Sequence, residues 1–172
     1  DRLHEAGSVY ADALANAVFP RVSGGAFLRG TGPTPFKRTI GKASAGPMVL
    51  PGPGDAWLCE GPLDGVSIKS HHSDAHVIVT GGNLMSADQI KPFVPDGRQV
   101  HLAFDQDKEG LKRTNLALQT FPGAVIEPPP GEASDWGAAP LNTPEARESE
   151  RSEPGAEADK PGLRAPGRRK LT

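Results

Sequence analysis

From Gly54 onward, apolar residues gather in short runs separated by polar and turn-forming residues. Ala56-Trp-Leu-Cys-Glu60 has the length and apolarity of a short buried strand. Leu63 to Ser70 reads as a helix, with Leu63, Val66 and Ile68 as its apolar positions. His76-Val-Ile-Val-Thr80 is a second predicted strand, ended by Gly81-Gly82. Ser86 is placed to cap a short helix, because its hydroxyl can accept from a free N–H of the first turn. Gln99-Val-His-Leu-Ala-Phe104 is a third strand, Lys108 to Thr120 a helix with Leu111, Leu116 and Leu118 apolar, and Gly123-Ala-Val-Ile126 a fourth strand. Strands alternating with helices predict an α/β fold, a parallel sheet with right-handed crossovers and flanking helices.

The first part of the chain follows a different pattern. Residues 1–54 read as a small β-rich segment in which Asn16-Ala-Val-Phe-Pro20 and Gly25-Ala-Phe-Leu-Arg29 form strands joined by a Ser-Gly-Gly turn. Pro33, Pro35, Pro47, Pro51 and Pro53 then punctuate the chain. The sequence opens at Asp1 without Met and runs directly into helix-like text, so a piece of a longer protein is expected. Thr143 to Thr172 has no periodic apolar face and is predicted to be a disordered tail, ending in the basic cluster Arg164-Ala-Pro-Gly-Arg-Arg-Lys170. The expected organisation is therefore a β-rich lead-in (1–54), an α/β domain (55–142) and a tail (143–172).

Composition supports one ordinary domain with part of the chain outside it. The 172 residues are only 36% hydrophobic and 5% aromatic, with 21 Gly and 18 Pro. The net charge of -2 gives no global signal for nucleic acid, so binding of that kind would need a local basic patch. The single cysteine, Cys59, excludes an intrachain disulfide and fits a reducing compartment such as the cytoplasm. No apolar run approaches the roughly 18–20 residues of a membrane span.

Acidic residues fall where two strands end, at Glu60-Gly61-Pro62-Leu63-Asp64 and at Asp105-Gln106-Asp107-Lys108-Glu109-Gly110. In open parallel sheets ligands bind at the carboxyl ends of the strands. If the two strands are neighbours, Glu60, Asp105 and Asp107 converge, which is costly unless a cation or a proton offsets the charge. Hard carboxylate oxygens suit magnesium, which keeps water positions open for phosphate oxygens, and such a set serves phosphoryl transfer or phosphodiester cleavage. A calcium loop starting at Asp105 fits at its first six positions but needs Glu at position twelve, where Leu116 stands, and an apolar residue at position eight, where Lys112 stands. A haloacid-dehalogenase reading of Asp105-Gln-Asp107 lacks the following Thr and leaves Glu60 and Asp64 unexplained. The bland alternative is that these acids only cap helices.

Trp57-Leu-Cys-Glu60-Gly-Pro-Leu-Asp64-Gly-Val-Ser, followed about forty residues later by Leu102-Ala-Phe-Asp105-Gln-Asp107-Lys-Glu-Gly110, resembles the Toprim domain of bacterial primases, topoisomerases and related nucleases. The lead-in pieces Val9-Tyr-Ala-Asp12, Asn16 to Pro20, Arg29-Gly-Thr-Gly32 and Phe36-Lys-Arg resemble the segment before this fold in primase-type proteins of plasmids and mobile elements. Glu-Ala-Ser-Asp135-Trp136-Gly137 is similar to the Gly-Lys-Asp-Trp-Asn-Asp element after the last strand of that group. It departs from that element at the Lys and Asn steps, which puts a role for Asp135 in doubt. The resemblance implies a Rossmann-like Toprim fold with magnesium, or manganese in its place. Glu60 would be the general acid or base and a metal ligand, with metal also held by Asp105 and Asp107, and Asp64, Gly61 and Gly110 in support. It implies DNA and nucleotides as ligands, and replication or mobilisation proteins as partners. Lys108, Lys112, Arg113, Arg29, Lys37 and Arg38 are candidate phosphate or nucleic-acid contacts, against the plainer reading of a solvated surface. The expected activity is nucleotidyl transfer in a primase; a binding module of a mobilisation protein and a metal-dependent nuclease are the alternatives.

Other features have plainer readings. His71, His72, Asp74 and His76 read as a surface loop, Cys59 and Trp57 as core, and Trp136 as cover for a sheet edge. Gly81-Gly82 reads as a turn, with backbone approach to a phosphate as the sharper alternative.

Overall fold

A computed structural model describes residues 8–82 and 85–141, all of them within one compact unit. The helix-like start of the chain, the predicted tail and the basic cluster at 164–170 lie outside the described residues. Among the described residues, nine strands form two sheets.

The lead-in is an antiparallel four-stranded meander in the order β1-β2-β3-β4, comprising β1 (Tyr10–Ala11), β2 (Ala17–Pro20), β3 (Ala26–Arg29) and β4 (Lys37–Ile40). The predicted hairpin pairs Ala17 with Arg29 and Pro20 with Ala26. Its turn needs Gly25, whose φ is +81° and where a Cβ would lie 2.3 Å from the Ile40 carbonyl oxygen. Buried Arg21 pins the loop after β4, its Nε donating to the Gly46 carbonyl (2.7 Å) and its Nη1 to that of Lys42 (2.9 Å).

The second sheet has the order β5-β7-β6-β8-β9, with β5 (Met48–Leu50), β6 (Ala56–Cys59), β7 (His76–Val79), β8 (Val100–Ala103) and β9 (Val125–Ile126). β6, β7, β8 and β9 pair in parallel, as predicted, whereas the edge strand β5 pairs antiparallel with β7. Helices α1 (Pro62–His71), α2 (Ala87–Ile90) and α3 (Lys108–Thr120) cover the faces. Period-two alternation sends Trp57 and Cys59 to one face, with Ile68 of α1, and Ala56 and Leu58 to the other, with Ile90 and Ala117. Phe19 and Phe27 of the meander join the first cluster, so the lead-in is anchored on the same face as α1.

Three expectations change. Leu111 and Leu116 are both half-exposed, and α3 packs through Gly110, Thr114 and Ala117 together with Leu118, the one predicted leucine that meets the core. Leu63 is likewise exposed, while Asp64 is buried. Trp136 does not cover an edge: it lies in the first-face core, its ring at 82° to Trp57 with centroids 5.7 Å apart.

Candidate active site

β6 and β8 are neighbours in register, Cys59 opposite Ala103, so the residues that follow them emerge side by side. An open cleft of about 300 Å³ forms there, lined by Glu60, Asp64, Asp105 and Asp135 together with Arg29 and Lys37. Glu60 and Asp105 follow the two strand ends and meet in the cleft with Asp64, whereas Asp107, expected to converge with them, points its carboxylate to the N-terminus of α3 and does not line the cleft. Arg29 ends β3 and Lys37 begins β4, paired across the meander, and this pair brings the two cations to the acids.

Backbone geometry explains the glycines. Asp64, in the first turn of α1, accepts from the Gly61 N–H at 2.7 Å and so closes the turn after Glu60. A Cβ on Gly110 would lie 2.0 Å from the Asp105 carbonyl oxygen, so only glycine lets α3 start directly against the strand end. Asp107 is the N-cap of that helix, its Oδ1 accepting from the Gly110 N–H at 2.8 Å. Glu109 sits in the first turn, where negative charge complements the helix dipole.

Asp135 reaches the cleft from the far end of the domain. A single 3₁₀ turn, Trp136–Ala138, is held by Asp135 Oδ1 accepting from the Ala138 N–H (2.7 Å) and by Trp136 Nε1 donating to the Glu127 carbonyl (3.3 Å). Gly137 matters because a Cβ there would lie 2.8 Å from Asp64 Oδ1. Glycine in place of the usual Asn thus lets the backbone close over Asp64 and carry Asp135 with it. The Asp-Trp pair in the sequence was the available signal: a buried Trp fixes the position of its neighbour.

The electrostatics match this crowding. Burial raises the Asp64 pKa to about 6, aided by the charges of Asp105 and Asp135 and opposed by the Gly61 and Gly137 N–H groups. Asp105 is also raised, by burial first and then by Asp135 and Asp107, with Lys37 acting in the other direction. Burial lowers Arg29, while Asp64 counteracts this, and the Arg29 Nε is buried without a hydrogen-bond partner. Glu60 pairs with Arg113 of α3, on two side chains largely withdrawn from water. Lys108 and Lys112 are exposed, and neither lines the cleft.

Among the described residues, no three Asp, Glu, His or Cys side chains converge closely enough to chelate an ion unaided. The donor set still fits a magnesium-type ion, which takes one or two carboxylates and leaves its other positions to water and phosphate. Burial first, and then the neighbouring charges of Asp135 and Asp107, disfavour the Asp105 carboxylate, and such an ion would offset both. Asp64, engaged with backbone N–H groups, is suited to holding the loop rather than a metal.

The histidine cluster is packed rather than a free surface loop. His72 and His101 stack on Trp57 with centroids at 4.3 and 4.5 Å, and His76 Nε2 contacts the Phe93 carbonyl at 3.2 Å. No described helix is long and apolar enough to cross a membrane.

Residues 55–133 match the family model described as Toprim domain. The fold is similar to the primase fragment of the bacteriophage T7 primase-helicase (TM-score 0.55, 16% identity), over 87% of this chain and 66% of that one. It is also similar to a chain of the bacteriophage T7 lagging-strand DNA polymerase assembly, in which the polymerase interacts with primase domains bound to an RNA/DNA hybrid and dTTP. There the TM-score is 0.53 and the identity 17%, over 87% of this chain and 81% of that one. At these identities the likeness concerns the fold. No curated protein matches the sequence.

Proposed function

We propose that the chain, whose residues 55–133 match the Toprim family model, performs divalent-metal-dependent nucleotidyl transfer on a nucleic-acid template, as the Toprim module of a DNA primase of a plasmid or mobile element. One observation carries this reading: acids from two adjacent strand ends and cations from a separate sheet face the same open cleft. Joining nucleotides needs a group to take the proton of the attacking hydroxyl and positive charge to offset the phosphates. Glu60 takes the first role. Arg29 and Lys37 supply part of the second, Arg29 strongly because its Nε is buried and its charge is weakly screened by water. Asp105, with Glu60, would hold magnesium, which when bound draws charge from the phosphate oxygens; Asp107, the N-cap of α3, does not line the cleft. Asp64 fixes the turn that presents Glu60. DNA, nucleotides and other replication or mobilisation proteins are the partners this reading implies.

The test is incorporation of labelled ribonucleotide on a single-stranded DNA template with magnesium or manganese. Wild type should extend, and the double variant Asp105→Asn/Asp107→Asn should lose at least about a hundredfold. Metal-dependent nicking without incorporation would make the chain a nuclease. DNA binding with neither activity would make it a non-catalytic module.

A further inference from the structure

Glu60 has a neighbour that the proposed reaction does not use. Arg113, in the second turn of α3, sets its Nη1 against Glu60 Oε2, with the two side chains 15% and 30% exposed. An ion pair so withdrawn from water is weakly screened. The chain after β7 accommodates the pair: Gly82 has φ +72°, and a Cβ there would lie 3.4 Å from Glu60 Oε1 and 3.8 Å from Arg113 Nη2. Arg113 also borders a separate hollow of about 200 Å³, lined by Thr80, Phe104, Leu116 and Ala117 among others, which gives its guanidinium somewhere to move.

A carboxylate oxygen held by a guanidinium is not free for a hard cation, and a fixed positive charge beside the cleft repels an arriving one. We propose that Arg113 is a positioning residue that latches Glu60, so that a divalent cation loads the cleft only by exchanging with this pair. This rests on the reading of Glu60 and Asp105 as a divalent-cation site. Arg113 therefore sets the cation concentration at which the site becomes competent. In the unloaded state it supplies a countercharge to Glu60, which shares the cleft with Asp64 and Asp105. α3 thus carries both the N-cap Asp107 and, one and a half turns on, the latch.

The experiment measures Mn2+ affinity of the full chain without nucleic acid or nucleotide, by the paramagnetic resonance signal of free Mn2+ and by calorimetry. Arg113→Gln should bind Mn2+ about tenfold more tightly than wild type. Arg113→Lys, which keeps the charge, should stay within about twofold. Arg113→Met, which keeps the apolar stem, should behave as Arg113→Gln does; a purely structural role would not tighten cation binding in any variant. Thermal unfolding reports whether each variant folds, and Arg113→Met carries the measurement if Arg113→Gln does not. Unchanged or weaker binding in both neutral variants overturns the latch, and if Asp105→Asn still abolishes binding, the cleft assignment stands without it. Absence of Mn2+ binding in wild type and all variants overturns both.

Discussion

Strands β6 and β4 are each four residues long, yet every residue of β6 is buried and every residue of β4 is exposed. β6 sits between β7 and β8 and is covered on both faces, whereas β4 is the edge of the meander. The two sheets accordingly contribute different things to one cleft. The covered parallel sheet fixes the acids, because Glu60 and Asp105 follow strands that cannot slip without exposing core. The meander, anchored through Phe19 and Phe27, delivers the cations Arg29 and Lys37. Stability is concentrated in one sheet, and much of the charge complementarity comes from the other.

The largest effect that could break this division is on stability. Leu58→Ala removes a fully buried side chain of β6 and should cost about 4 kcal/mol in urea unfolding, while Ile40→Ala on β4 should cost less than about 0.5 kcal/mol. Equal losses would erase the contrast. Next comes the pH dependence of Asp64. Its folded pKa of about 6 lies above the ordinary 3.8, so the folded state holds a proton that the unfolded state releases between these values. Its stabilising contribution is full below the lower value and is lost as pH rises through the upper one. In metal-free buffer, wild type should therefore lose about 2 kcal/mol relative to Asp64→Asn between about pH 4 and 6. A flat difference would show that Asp64 is not buried as described.

Smaller effects test the meander. Arg29→Gln should slow nucleotide incorporation by about thirtyfold with little change in unfolding midpoint. Lys37→Gln should slow it about fivefold and Arg38→Gln less than about twofold, because alternate side chains of a strand face opposite ways and Lys37, not Arg38, lines the cleft. Equal effects at 37 and 38 would place the meander elsewhere.

Much of the parallel sheet was legible because its strands are short apolar runs bounded by turn residues, and because acids at two strand ends have few structural uses. The meander was half legible. The β2–β3 hairpin carries its Gly-rich turn, but β4 is Lys-Arg-Thr-Ile, with no apolar face to read, and β5 is three residues between Pro47 and Pro51. In α3 Leu111 and Leu116 mark the solvent side, and of the three leucines only Leu118 packs against the core. The packed stripe is Gly110, Thr114 and Ala117, small residues that permit close approach to the sheet, and Arg113 borders that stripe one turn after Gly110. Helical phase taken from the small residues would have pointed Arg113 toward Glu60. Asp135 depends on how the last 3₁₀ turn docks on α1, a contact set by Trp136 rather than by local spacing.

The central claim is that Glu60 moves the proton in nucleotidyl transfer. The direct measurement is the single-turnover rate of ribonucleotide incorporation on single-stranded DNA at saturating magnesium, for wild type and Glu60→Gln. The account predicts a fall of at least about a hundredfold, with template binding retained. A Glu60→Gln chain that extends as fast as wild type, or a wild-type chain with no magnesium-dependent transfer, would contradict it.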